Sequence, residues 1–198
     1  RVAVNMAGGL DRKKIILRKS SVAVRGTEFD IAGSYDWAGD VPVVNLGIDA
    51  RYIDLLKLFP DLYGGESVRE NRELNVFKDI PLFGEFLLNK KISLNADVDR
   101  LVVYRNMLFE GVDLTADVNN DHARIDLKTG FADGMVEIGV DADIEPDGTI
   151  GLQVGGIGER LYVGEVLKQL NYSNLLSELP VNFELYVRAQ GKDLAQVM

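Results

Sequence analysis

The sequence predicts a mainly β fold: antiparallel amphipathic sheet or sheets, curved into a groove or an open sandwich, with two or three short capping helices. Three observations predict it. Apolar residues recur at every second position over most of the chain, as in strands with one dry and one wet face. Turn-forming Asn, Asp, Pro and Gly clusters separate these runs at hairpin spacing. The segments with helical periodicity are too short to cover the amount of sheet the alternation implies.

Taken in order, the chain already alternates at Val2 and Val4, so it reads as an excerpt from a longer protein whose anchor or export signal would lie elsewhere. From residue 30 a strand leads through an acidic Gly-containing turn, Trp37 to Asp40, into Val44-Leu46-Ile48-Ala50. A helix follows, with Tyr52, Leu55, Leu56 and Phe59 at i, i+3, i+4 and i+7. Residues 1–64 form a first β module ending in this helix. Residues 65–90 are a charged linker with a short helix at Leu82 to Leu88, entered through Asp79 and Pro81.

Residues 91–198 form a second β module. Its strands are Ile92-Leu94-Ala96-Val98, Val112-Leu114-Ala116-Val118, Ala123-Ile125-Leu127, Val136-Ile138-Val140-Ala142-Ile144, Ile150-Leu152-Val154 and Val181-Phe183-Leu185-Val187-Ala189. Turns at Asn119-Asn120-Asp121, Ala132-Asp133-Gly134 and Pro146-Asp147-Gly148 join them, with Gly or Asn supplying positive φ. A second helix has Val163, Val166, Leu167 and Leu170 on one side. Strand, turn, strand and helix thus occur in the same order at 30–59 and 136–170, which suggests an internal repeat.

Composition removes several function classes. With 22 Lys and Arg against 31 Asp and Glu, the net charge of −9 repels phosphate backbones, so no nucleic-acid partner is expected. No apolar run is long enough to span a bilayer. The absence of Cys removes disulfides and thiolate metal sites.

Reactive constellations are thin. His122 is the only histidine and stands beside a turn, so neither a His-dependent triad nor a His-rich metal site can be assembled. Gly156-Ile157-Gly158-Glu159-Arg160-Leu161 has Leu where a dinucleotide fingerprint has its third glycine, and reads as a flexible loop. Asp141, Asp143, Glu145 and Asp147 are spaced like part of a calcium loop, but Pro146 and Gly148 spell a hairpin turn instead. Asp97, Asp99, Asp113, Asp117 and Glu137 fall off the apolar phase and belong to a solvated face. No catalytic residue, metal or cofactor is expected.

The amount of amphipathic strand is more informative. Six or more such strands build an apolar face of several hundred Å², which short helices cannot cover. Either it folds against another sheet as a closed sandwich, or it stays open as a trough whose natural filler is hydrocarbon. The candidate lining is Ile92, Leu94, Val98, Val112, Leu114, Val118, Ile125, Leu127, Val136, Ile138, Val140 and Leu152. Each buried methylene of an acyl chain contributes about 0.8 kcal/mol against such a surface.

Ile92 to Met198 resembles the carboxy-terminal conserved region of AsmA-family proteins. Pro81 to Leu88 resembles the short helix before that module, Asn95 to Leu101 its first alternating strand, and Leu108-Phe109-Glu110-Gly111-Val112 the crossing into the second. Ala123 to Leu127 with Phe131-Ala132-Asp133-Gly134-Met135 resembles its leucine-rich strand and small-Gly turn. Leu161 to Leu170 resembles the closing helix, and Leu185 to Leu194 the final strand and loop. Asn119-Asn120-Asp121-His122 replaces the usual Gly-bearing turn, and residues 1–80 match only through the internal repeat. The resemblance implies a non-enzymatic periplasmic module of an envelope protein anchored in the inner membrane of a Gram-negative bacterium. Its implied partners are phospholipid or another acyl lipid, envelope proteins, and the remainder of its own longer chain. Its implied roles are lipid transport and outer-membrane biogenesis, the alternative being a closed-sandwich scaffold for outer-membrane protein assembly.

Overall fold

A computed structural model describes residues 2–5, 7–58, 89–103, 107–169 and 179–191. Among these, the chain runs β1 (Val2–Asn5), β2 (Gly8–Asp11), β3 (Lys14–Val24), β4 (Thr27–Asp36), β5 (Val43–Asp54), α1 (Leu55–Leu58), β6 (Lys91–Val102) and β7 (Leu108–Asn119). It continues through β8 (His122–Phe131), β9 (Gly134–Ile144), β10 (Ile150–Tyr162), α2 (Val163–Gln169) and β11 (Pro180–Gly191). All eleven strands belong to one open sheet, ordered β1-β3-β4-β5-β6-β7-β8-β9-β10-β11, with β2 also on β3. Among the described residues the first and last strands do not meet, so the sheet does not close.

The fold is mainly β, as expected, but the sheet is mixed. β5 and β6 pair in parallel, Val43 opposite Lys91 through Asp54 opposite Val102, while every other neighbouring pair is antiparallel. Hairpin turns impose antiparallel pairing, whereas residues 55–90 between β5 and β6 are long enough to bring the chain back for a parallel partner. The sheet therefore runs unbroken from the first half of the chain into the second.

The turns use positive φ both in the two-residue hairpin between β7 and β8 and in the longer 145–149 connection between β9 and β10. Asn120 has φ 62° and Gly148 82°. At the third turn Ala132 (49°) and Asp133 (60°) carry the strain, not Gly134 as anticipated. Arg25 (49°) and Gly26 (84°) make a further hairpin between β3 and β4.

The first helix is shorter than its periodicity predicts. Tyr52 lies in β5, and Asp54 starts α1 by accepting a hydrogen bond from the Lys57 backbone N–H at 3.1 Å. Phe59 and the candidate helix at Leu82 to Leu88 lie outside the described residues. β10 is longer than predicted. Gly156 to Leu161 is strand, not a flexible loop: Gly156 and Gly158 face Leu185 and Phe183 on β11, and after a bulge at Glu159 and Arg160 the pairing resumes with Leu161 opposite Val181. A Cβ at Gly158 would collide with the Phe183 ring, which fills the space the glycine leaves.

β4-β5-α1 and β9-β10-α2 are each a hairpin followed at once by a short helix. They continue differently, since the strand after α1 is parallel to its predecessor and the strand after α2 is antiparallel.

Buried residues form small clusters toward the ends of the strands. At one end Phe131, Ala132, Val136 and Leu161 pack with Phe109, Ile138 and Val166 of α2. Beside them Ala50, Val98 and Val112 pack with Phe29, Ile53 and Leu101. At the other end Ala123, Ala142, Ile144 and Ile150 pack with Val118 and Leu152.

Candidate functional site

Strand registry decides whether the candidate residues share a surface, because residues directly opposite on neighbouring strands point to the same side. All twelve do. Val44, Ile92, Val118, Ala123, Ala142, Leu152 and Ala189 make one row across seven strands. The next row is Leu46, Leu94, Ala116, Ile125, Val140, Val154 and Val187. The third is Ile48, Ala96, Leu114, Leu127, Ile138, Gly156 and Leu185. Ala50, Val98 and Val112 start a fourth, which a bulge opposite Thr129 interrupts and which resumes with Val136, Gly158 and Phe183.

Gly111, with φ +57°, makes that bulge possible. Beyond it Phe109 lies opposite Phe131, the two rings stacked with centroids 4.7 Å apart.

Seven strands at about 4.8 Å and four rows at about 6.7 Å span roughly 29 Å by 20 Å between the outermost Cα positions, a footprint of about 600 Å². Exposure differs along it. Val98, Val112 and Val136 are buried in the end clusters, whereas Ile125 remains 37% exposed and most of the other candidates are half-buried. Among the described residues no second sheet packs on this face, and α2 covers only the Phe131–Val136 end. Among the described residues the structure is thus a single layer over the Ile125 part of the face.

The residues that alternation singled out are joined by others it did not name as lining. Val44, Leu46 and Ile48 of β5 continue the rows through the parallel pair, and Leu185 and Val187 of β11 end them. On the far side, Ile31 and Tyr35 of β4 extend the third and first rows. Their own alternation was the signal; the missing information was which strands are neighbours.

The opposite face is polar. Asp30, Asp49, Asp97 and Asp113 stand directly opposite one another on four successive strands, a like-charge row that repels anions. Among the described residues only its Asp30 end has a cation in contact, Lys19 at 2.9 Å. A hydrogen bond from Ser21, then one from Lys19, holds the Asp30 carboxyl below its ordinary value. Further along, Lys128 pairs with Glu137 at 2.7 Å and Arg124 with Asp126 at 2.8 Å. A shallow depression of about 580 Å³ lies on this side over Gly139 and Gly155, flanked by Lys128, Glu137, Glu184 and Tyr186.

His122 sits half-exposed with Nδ1 3.0 Å from Asp143 Oδ1, a surface contact. Among the described residues no group of three or more His, Asp or Glu side chains is arranged to hold a metal ion. None of the described helices is long and apolar enough to cross a membrane.

No protein-family model, curated protein or solved structure matches the chain.

Proposed function

We propose that this chain shelters acyl chains on the apolar face of its sheet, as a non-enzymatic lipid-handling module. The observation that carries the reading is the registry: four aliphatic rows coincide over seven strands, with no second layer on them among the described residues. The rows offer Val, Leu, Ile and Ala and neither donors nor acceptors, so their ligand is hydrocarbon recognised by area alone. At up to about 0.8 kcal/mol per buried methylene, roughly ten or more methylenes of a tail lying along the rows together outweigh the cost of association, with no polar contact to stop the tail sliding. The acidic reverse face stays in water, and its charge keeps anionic headgroups on the apolar side.

In this reading the sheet curls about the rows into a groove, and the two hairpin-helix units are copies of one repeat by which the groove lengthens. The resemblance to AsmA-family proteins supports placing it in the periplasm, in a longer chain anchored in the inner membrane, where the task is phospholipid transport and outer-membrane biogenesis. A closed-sandwich scaffold fits less well, because the described strands form one open layer.

The test is lipid content after purification. The wild-type chain should carry phospholipid into an organic extract, identified by mass spectrometry. Leu114→Asp and Ile138→Asp should lose it while keeping the β circular-dichroism spectrum. Folded variants with unchanged lipid would overturn the proposal.

A further inference from the structure

The two edges of the sheet are unlike. On one side β3 is already covered by β1 and β2, each four residues long. On the other, β11 presents twelve residues whose outer backbone groups have no strand beside them among the described residues. Such an edge invites pairing, and proteins commonly blunt it with charged side chains, lysine above all, with proline or with a bulge. β11 has no lysine and no bulge of its own, and its two charges, Glu184 and Arg188, are of opposite sign. Its one proline is the first residue, and the irregularity between β10 and β11 places the extra residues on β10.

Its side chains are also uncovered. Val181, Phe183, Leu185 and Val187 are 37–47% exposed on the apolar side, the last three at the ends of rows and Val181 opposite the buried Leu161. On the polar side Glu184 and Arg188 lie two residues either side of Tyr186; Arg188 Nε donates to the Tyr186 hydroxyl and its guanidinium lies 5.2 Å from that ring's centroid, but neither Glu184 nor Arg188 is in an ion pair among the described residues.

That spacing is self-complementary. We propose that β11 pairs antiparallel with β11 of a second copy of the chain, about a two-fold axis at Tyr186. In this register Glu184 faces Arg188 of the other copy twice over, Asn182 faces Gln190, and Leu185 faces Val187. Moving the centre by one residue loses both ion pairs. Moving it by two sets Glu184 against Glu184 or Arg188 against Arg188, which is repulsive. Opposed residues share a face, so the two apolar surfaces join into one across the axis, and the contact is isologous and closed. The inference stands apart from the lipid reading, since it rests on the edge alone.

Sedimentation velocity up to about 0.1 mM, a range suited to a small interface, tests it. The wild-type chain should dimerise. Glu184→Arg and Arg188→Glu should each weaken association by at least about fivefold, because each turns two attractions into two repulsions, and the double exchange should restore it. All three positions are exposed, so circular dichroism should stay unchanged. The chain has no cysteine, so Tyr186→Cys alone should give a disulfide-linked dimer on oxidation. A monomer throughout the concentration range, a double exchange that fails to restore pairing, or no cross-link at 186 would each overturn the proposal.

Discussion

Replacing Ile125 and Val112 by aspartate, one at a time, separates an uncovered apolar face from an ordinary core. Both side chains belong to the same face, but Ile125 is 37% exposed and Val112 only 3%. Full burial of either side chain is worth about 1.5–3 kcal/mol. Ile125→Asp therefore forfeits about 1–2 kcal/mol, and its carboxylate reaches water directly, so no charge is buried. Val112→Asp forfeits nearly the whole transfer energy and also places a carboxyl among Ala50, Val98 and Leu101. There it either stays charged without solvent or is held protonated, and that penalty brings the total to about 5 kcal/mol or more. Urea unfolding followed by circular dichroism should show a gap of about 3 kcal/mol between the two variants, with equal m-values. Equal losses at both positions would mean that Ile125 is shielded as deeply as Val112, and the single-layer account would fail.

Two further outcomes follow from particular contacts. Burial pushes the Asp54 carboxyl upward, but hydrogen bonds from the Lys57 side chain and backbone, the Lys57 charge and the Tyr52 hydroxyl hold it below its ordinary value of 3.8. Its contribution is therefore complete above that value and is lost as pH falls through the lower folded value. Asp54→Ala should cost about 1–3 kcal/mol near neutral pH, and the difference from wild type should shrink in thermal melts below pH 4. Gly111→Ala meets no neighbouring atom but must adopt φ +57°, so it should cost about 1–2 kcal/mol, read as a Tm lower by about 2–8 °C. An unchanged Tm would mean that the bulge is not held at Gly111.

Much of the sheet was legible in the sequence because each strand's alternation is a local property. Val136 to Ile144 and Val181 to Ala189 read correctly for that reason, as did the turns at Asn120 and Gly148. β3 did not, since a register shift between Leu17 and Ser20 breaks its alternation and places Arg18 and Lys19 in the gap. In β10 the alternation reaches only to Val154, because the glycines beyond it have no side chain to show a face, whereas Phe183 on the next strand occupies the place of the side chain missing at Gly158. The parallel pairing of β5 with β6 depends on partners 48 residues apart and leaves no local trace. The candidate face was legible in its chemistry and not in its extent. Alternation assigns each residue a side of its own strand, but only pairing shows that Leu46, Leu94, Ile125, Val140 and Val187 fall in line.

The central claim is that hydrocarbon rests on these rows and not on the polar reverse. Ile157 supplies an internal control, being an isoleucine 51% exposed on the polar side of β10. Methyl NMR of the chain loaded with phospholipid carrying a spin label in its acyl tail should broaden Leu94, Leu114, Ile125 and Ile138 and spare Ile157. Equal broadening on both faces, or none at the four row residues, would contradict the account.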